Sequence, residues 1–469
     1  MNINFSTLTY NQYIYNIYLV IYDMVIDSRG NVKLPNEEEK ALQIESNTAS
    51  IILFSDVVEM KIKHWLTHPV IVASLTIKDS KNLLINHLNT NRSVLQFKVT
   101  AKKDNSDPTI YSGVSNDQEI EMNIDFVVSK SDILSQNSDS ATIQLSLIST
   151  NWFNFNNNFV YGTSMDRKWI DILKTMFVQN FLGPLSPAAT SVAPTILDTR
   201  DYTFDTTPSP YITPSNSTFL ESMEYILNRA LVLENSLFFV VYNPILNNYF
   251  LWKLSDDEAN LNIKEDSDNV IFIKDRSFLT KLIHTNASSA VLNKSWSGIT
   301  EIYDAIKGFT NYVFDYSKYT WQTAGCRRST ANLIDLYSPK EKIQNLPGFS
   351  QKFVNFPNDN FIIPTESNRF WNEWSESNRQ ENLWEKGRKV LLENGIAMAS
   401  VAGSLERIPG SIIYLICELD SETRTTASGL TGAWYIIENE LVFTPNSFVN
   451  NLYLGRMTAI TDIDKIVTS

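Results

Sequence analysis

Residues 50–63 read SIILFSDVVEMKIK. The second half alternates: Val58, Met60 and Ile62 against Glu59, Lys61 and Lys63. Successive side chains of a strand point to opposite faces, so apolar residues at period two mark a half-buried strand. The neighbouring segments carry the same signal. Upstream, residues 13–22 read YIYNIYLVIY, rich in β-branched and aromatic residues, and Arg29-Gly30-Asn31 is a turn signal. Downstream, further strands are predicted at Val70–Ile77, Val94–Val99, Glu119–Val128 and Ala141–Ile148. Asn-Ser-Asp stretches at 104–108 and 137–140 mark the turns between them. Six or seven strands in about 140 residues predict a barrel or a sandwich.

The character changes near residue 150. Trp169, Leu173, Met176 and Phe177 share one face of a predicted helix over 165–177, with Ser164 as its N-cap and Gly183-Pro184 as its stop. Residues 184–214 hold six of the sixteen prolines and read as an extended linker or surface loop. A second helix is predicted at about 218–234, where Phe219, Met223, Ile226, Leu227 and Ala230 form a stripe, with Ser217 or Thr218 as N-cap. Strands Phe238–Tyr242 and Tyr249–Leu254 then form a hairpin across 243–248. Beyond it, Val270–Lys274 and Tyr312–Tyr319 read as strands, and 326–368 as a polar excursion. A Trp-rich helix is predicted at about 366–394, ended by Asn394-Gly395. The last strands are predicted at Ile396–Val401, Ser411–Leu419, Gly432–Glu438, Leu441–Phe443 and Asn451–Thr458. No short-period repeat of the solenoid kind is visible.

Composition excludes several chemistries. The chain has 469 residues, a prior of about three domains. Two cysteines, Cys326 and Cys417, build no disulfide scaffold, and with four histidines they leave little for zinc or iron–sulfur ligation. Aromatics make up 12%, Asn is abundant at 47 residues, and Gly is scarce at 15. The formal net charge is −13, the wrong balance for holding nucleic acid. Residues 1–150 carry 12 basic and 17 acidic side chains (net −5), and residues 151–270 carry 7 and 14 (net −7). No run of apolar residues is long enough for a membrane-spanning helix, and the start lacks the basic region of a signal peptide, since the first basic residue is Arg29.

No motif for catalysis stands out. His64 and His68 have the i, i+4 spacing of a metal pair, but Trp65 occupies the place where the zincin pattern needs Glu. The sequence has neither a GxxxxGK[ST] nor a GxSxG motif. Cys326 precedes Arg327-Arg328 and reads as a small residue in a basic turn; Cys417 reads as core. Glu373 and Glu376 lie on the Trp-rich helix with Trp371, Trp374 and Trp384, and read as solvated carboxylates beside packing residues. No catalytic, cofactor-binding or metal-binding residue is assigned, and the chain is not expected to be an enzyme.

The last 85 residues carry the most informative order: Ile396–Val401, then Pro409-Gly410-Ser411 leading a strand, then Leu430, Gly432, Trp434 and Ile437, then Leu452, Leu454 and Arg456. This order resembles the C-terminal barrel of the tail-hub proteins of contractile-tailed phages, and the hub part of type VI secretion spikes is similar. Ser411 replaces the family's usual Asp, and Glu438–Glu440 stand where the family commonly has His. Tyr161-Gly162-Thr163-Ser164, the helix from Pro214 to Ala230 and the hairpin from Phe238 to Leu254 also resemble segments of T-even-like hubs. The likeness covers about 160–254 and 380–457; residues 1–150 match only as a strand-rich domain.

The resemblance implies an α+β, mainly β chain with two tail-tube-like β-barrel domains and an inserted helix/hairpin module. The expected parts are an N-terminal strand or extension at 1–44, a first barrel at 45–150 and the module at 151–270. The second barrel would be discontinuous, from 271–330 and 395–469, with the excursion and Trp-rich helix at 331–394 between its pieces. It implies a homotrimer whose pseudo-sixfold ring joins the hexameric tail tube to a trimeric central spike protein in the virion baseplate, assembled in the bacterial host cytoplasm. Neighbours would be the tail tube protein, the spike, the tape-measure protein and inner baseplate wedge proteins. DNA would pass the lumen without specific binding, and an acidic wall suits that passage. The alternatives are another tail-tip or receptor-binding structural protein, and a tail enzyme degrading cell-wall glycans.

Overall fold

The computed structural model describes residues 6–10, 13–26, 32–80, 93–103, 119–137, 140–157, 159–164, 167–181, 197–199, 211–234, 237–254, 270–273, 309–315, 320–326, 360–362, 396–420, 425–426 and 432–458. The fold is α+β and mainly β. Strands β1 (Ser6–Tyr10), β2 (Tyr13–Asp23), β3 (Val25–Ile26) and β4 (Val32–Lys33) precede helix α1 (Glu37–Glu45). Then come β5 (Ser50–Ile52), β6 (Val57–Trp65), β7 (Val72–Asp79), β8 (Ser93–Lys103), β9 (Ile120–Gln136) and β10 (Ala141–Ser149). The middle holds α2 (Asn151–Asn157), β11 (Phe159–Ser164), α3 (Trp169–Phe181), β12 (Leu197–Asp198), β13 (Tyr211–Thr218), α4 (Phe219–Glu234), β14 (Leu237–Asn243) and β15 (Asn248–Leu254). The remaining strands are β16 (Val270–Ile273), β17 (Phe309–Asp315), β18 (Thr320–Cys326), β19 (Asn360–Ile362), β20 (Ile396–Ala402), β21 (Ile412–Asp420), β22 (Thr425–Thr426), β23 (Gly432–Thr444) and β24 (Ser447–Thr458).

One large sheet runs β1-β2-β8-β9-β10-β7-β6-β23-β21-β16, with β24 and β20 following from β23. β6 is the strand where the two parts of the chain meet: it pairs with β7 on one side and β23 on the other. Its buried positions are Val57, Met60, Ile62 and His64. Val58, expected inside, is 49% exposed, because the register slips between Val57 and Glu59 and moves the alternation by one residue.

The pairing pattern occurs twice. β8, β9, β10 and β7 pair in that order; β21, β23, β24 and β20 do the same, in the same chain order and all antiparallel. The registers coincide. Val94 faces Val127, which faces Ile148, which faces Val72; Ile412 faces Tyr435, which faces Gly455, which faces Ile396. Five residues along β10 and β24, Ile143 faces Ile133 and Ile77, while Asn450 faces Leu441 and Val401. The long strands also share a bulge, at Ser129 in β9 and Ile437 in β23. Counterpart residues Leu95 and Ile413, Phe126 and Trp434, Leu145 and Leu452, Leu147 and Leu454 are all buried.

Other expectations are met or moved. β2, placed ahead of the first barrel, lies inside the sheet between β1 and β8 and is buried on both faces. One face joins the main core through Tyr15, Ile17, Leu19 and Ile21; the other, Tyr18, Val20 and Tyr22, packs with Ile44 and Ala49. α1 was not expected, although its capping box of Asn36 and Glu39 is legible in the sequence. Ser164 ends β11 and is not the N-cap of α3, which begins at Trp169. Thr218 does cap α4, accepting from Glu221 N at 3.2 Å while its own N–H donates to the Glu221 carboxylate at 2.8 Å. The predicted strands 432–438 and 441–443 are one strand, β23; of the strand predicted at 312–319, residues 312–315 lie in β17 and 316–319 lie outside the described residues. The turn at 104–108 and the Trp-rich helix lie outside the described residues; of the linker expected at 184–214, residues 197–198 form β12 and 211–214 begin β13, while 184–196 and 200–210 lie outside the described residues.

α2, α3 and α4 close on the hairpin through aromatic rings: Phe219 lies 5.1 Å from Phe155 and 5.0 Å from Phe177, and Tyr249 lies 5.5 Å from Phe155. Edge-on contacts of this kind add to the area they bury. The resulting cluster is continuous with the core of the large sheet.

Candidate functional site

The described residues bring together joints between parts of the chain. The first is the seam of β6 and β23. Cross-strand pairs are Trp65 with Glu438, His64 with Asn439, Lys63 with Glu440 and Ile62 with Leu441. On one face, Lys63 Nζ lies 3.3 Å from both Glu438 and Glu440, and Trp65 Nε1 donates to Glu438 at 2.9 Å. Asn451 Nδ2 donates to Glu440 at 3.0 Å. Burial disfavours the charged Lys63, but the two carboxylates outweigh it and raise its pKa above the ordinary lysine value. The acidic residues found where the resembled family has His therefore have a local role: they bind the incoming strand.

On the other face the seam is buried. Asn450 Nδ2 donates to Asn439 Oδ1 at 2.9 Å, and Asn439 Nδ2 donates to the Arg407 carbonyl at 2.5 Å. Arg407 donates from Nη1 to Asn450 Oδ1 at 3.1 Å and also to the Ala402 carbonyl. Ser404 N–H donates to Asn450 Oδ1 at 2.6 Å. The amides thus pin the loop after β20 to the β23–β24 hairpin. His64 is buried beside it, and burial lowers its pKa to about 3, so the imidazole is neutral.

The second joint links the helical module to the β20–β24 part of the large sheet. Gly410 takes φ +87°, and Trp252 of β15 lies where its Cβ would be, at 3.0 Å. The Trp252 ring stands 5.9 Å from Tyr435, which in turn lies against Gly455: a Cβ there would come 2.4 Å from the Tyr435 ring. The Pro409-Gly410-Ser411 motif is therefore the seat of a tryptophan contributed from another part of the chain.

The residues singled out in the sequence separate. His64 is buried in β6 while His68 is exposed beyond its end, so they are not on one helical face. Among the described residues no group of three or more His, Cys, Asp or Glu is placed to hold a metal. Cys326 ends β18 and Cys417 lies in β21. Glu373, Glu376 and the tryptophans near them lie outside the described residues. Sequence reasoning missed Asn439, Asn450 and Arg407, because their partners are distant in the chain. Among the described residues no helix is long and apolar enough to cross a membrane.

No family model and no curated protein matches the chain. Solved structures to which it is similar include tail proteins and a chain of a PdpA–VgrG complex. The 43 kDa tail protein of prophage MuSo2 from Shewanella oneidensis aligns with TM-score 0.47 and 9% identity, over 94% of this chain and 98% of that one. The tail protein from Neisseria meningitidis MC58 aligns with TM-score 0.44 and 9% identity, over 94% and 96%. A chain of the lidded Francisella PdpA–VgrG complex aligns with TM-score 0.42 and 8% identity, over 94% of this chain and 53% of that one.

Proposed function

We propose that this chain is a structural protein of a phage tail, the central hub of the baseplate, without a catalytic role. The observation that carries the reading is the duplicated β-unit in matched register, with the family-like motifs at its defining points. Pro409-Gly410-Ser411 leads into β21, Gly432 and Trp434 open β23, and Leu452, Leu454 and Arg456 lie on β24. In this reading the first unit is built on 45–150 and the second on 271–330 and 395–469, with the module at 151–270 between them.

Two equivalent units per chain suit a trimer whose ring has six quasi-equivalent positions, matched to a hexameric tube on one side and a trimeric spike on the other. Strand-rich walls joined edge to edge satisfy main-chain groups between units as β6 and β23 do within one chain. The net charge of −13 suits passage of DNA without capture. The particle would belong to the virion tail, with the tube, spike, tape-measure and inner wedge proteins as neighbours.

Native mass spectrometry of the purified chain is expected to give a trimer, and electron microscopy a three-fold ring with a central channel. A stable monomer at high concentration would count against the hub. Binding of the isolated protein to host cells would favour a receptor-binding role instead.

A further inference from the structure

The β23–β24 hairpin pairs within the second unit but packs within the first. β2 and β24 stand at opposite ends of the run β2-β8-β9-β10-β7-β6-β23-β24, yet the sheet curls until their side chains meet. The hairpin tip is aromatic. Phe443 and Phe448 pair across the turn at Pro445-Asn446 and stack with parallel rings 4.1 Å apart. Phe448 meets Tyr15 of β2 edge to face at 5.1 Å, and Phe443 lies 5.5 Å from Phe97 of β8. All four rings are buried in one cluster with Leu8 of β1. Hydrogen bonds follow the rings: Tyr15 OH donates to the Gly403 carbonyl at 3.2 Å, and Gly403 N–H donates to the Phe448 carbonyl at 2.9 Å. A Cβ at Gly403 would collide with the Phe448 ring, so this close approach requires glycine.

We propose that the hairpin tip is a brace: Phe443 and Phe448 complete the core over β2 and β8 and so lock the two β-units into one body that opens as a whole. The seam of β6 and β23 alone is a single line of strand pairing, about which one unit could turn against the other. Its ion pairs are partly exposed, as at Lys63 and Glu438, and such pairs hold little. Buried aromatic rings are among the costliest side chains to lose from a core. The tip adds a second line of contact, on the far side of the curl from the seam. Turning about the seam would draw Phe448 off Tyr15 and break the Tyr15–Gly403 hydrogen bond, which joins positions 388 residues apart. The first unit therefore reaches its full core only when the end of the chain is in place.

The brace lies within one chain and does not depend on the hub reading. The test uses the full-length chain and follows hydrogen exchange under rising urea. In the wild type the amides of 13–23, 93–103 and 432–458 should converge on one common protection. β2 and β8 still protected after β23 and β24 have opened overturns the brace, and this holds even where a variant fails to fold. F448L should lower protection by about 10-fold, and by the same factor in β2 and β8 as in β23 and β24. Loss confined to β20, β23 and β24, or passed to β6 and β7 while β2 stays protected, overturns it. The ring contact itself is read by a double-mutant cycle of Y15L and F448L. The double variant should be about 3- to 10-fold more protected than the two single losses multiplied; strictly multiplicative losses overturn the brace.

Discussion

His64 lies at the seam with its imidazole buried and, among the described residues, without a hydrogen-bond partner at Nε2. Its pKa of about 3 in the folded chain is below the ordinary value of 6.5. The folded state therefore binds the proton less well than the unfolded chain does. The corresponding stability is present above about pH 6.5 and is lost as pH falls from there towards 3, by about 1.4 kcal/mol per pH unit. Between pH 7 and pH 5 the loss is about 2 kcal/mol. Urea titrations of the wild type and H64L at both pH values should show a smaller pH-dependent loss in the variant; equal losses would remove His64 as the cause. Asp125 works in the opposite sense, because burial raises its pKa despite Lys40, so the comparison between variants matters more than the absolute curve. At Gly455 a methyl group would meet the buried Tyr435 ring, which Trp252 backs. G455A is expected to cost about 1–3 kcal/mol in the same titration.

At the scale of elements, the Asn439–Asn450–Arg407 network joins a loop to a hairpin. N450A removes an acceptor of Ser404 N–H and Arg407 Nη1 and a donor to Asn439, all in a buried place. Leaving such groups unpaired costs about 2–4 kcal/mol, and N451A, at a half-buried position, should cost less; equal melting shifts would contradict this. N36A removes the cap of α1, a loss of about 1 kcal/mol. Because α1 covers Tyr18 and Tyr22 of β2, that loss should appear as faster hydrogen exchange in 37–45 ahead of the sheet. The elements themselves were largely legible. Alternating Met60 and Ile62 marked β6, and the stripe from Phe219 to Ala230 marked α4. The bulge that expelled Val58 was not, since a register slip depends on the partner strand.

At the scale of the whole molecule, the duplication gives one chain two β-units of matched register, joined where β6 pairs with β23. It left almost no trace in the sequence. Counterparts include Gln96 and Tyr414, Ile124 and Gly432, Ile143 and Asn450. Hydrophobic burial is roughly proportional to apolar area and is indifferent to side-chain identity, so two units can keep one register with different residues. What the sequence determined by itself was the class: strands from period-two alternation, helices from the 3.6-residue stripe, and few groups for metal or redox chemistry from four His and two Cys. Local periodicity and composition reside within short windows of chain. Which strand meets β6 and why Glu438 and Glu440 are acidic were decided only in the tertiary structure. Those choices join residues more than 370 positions apart, as in the Trp65–Glu438 hydrogen bond, and no short window contains both partners.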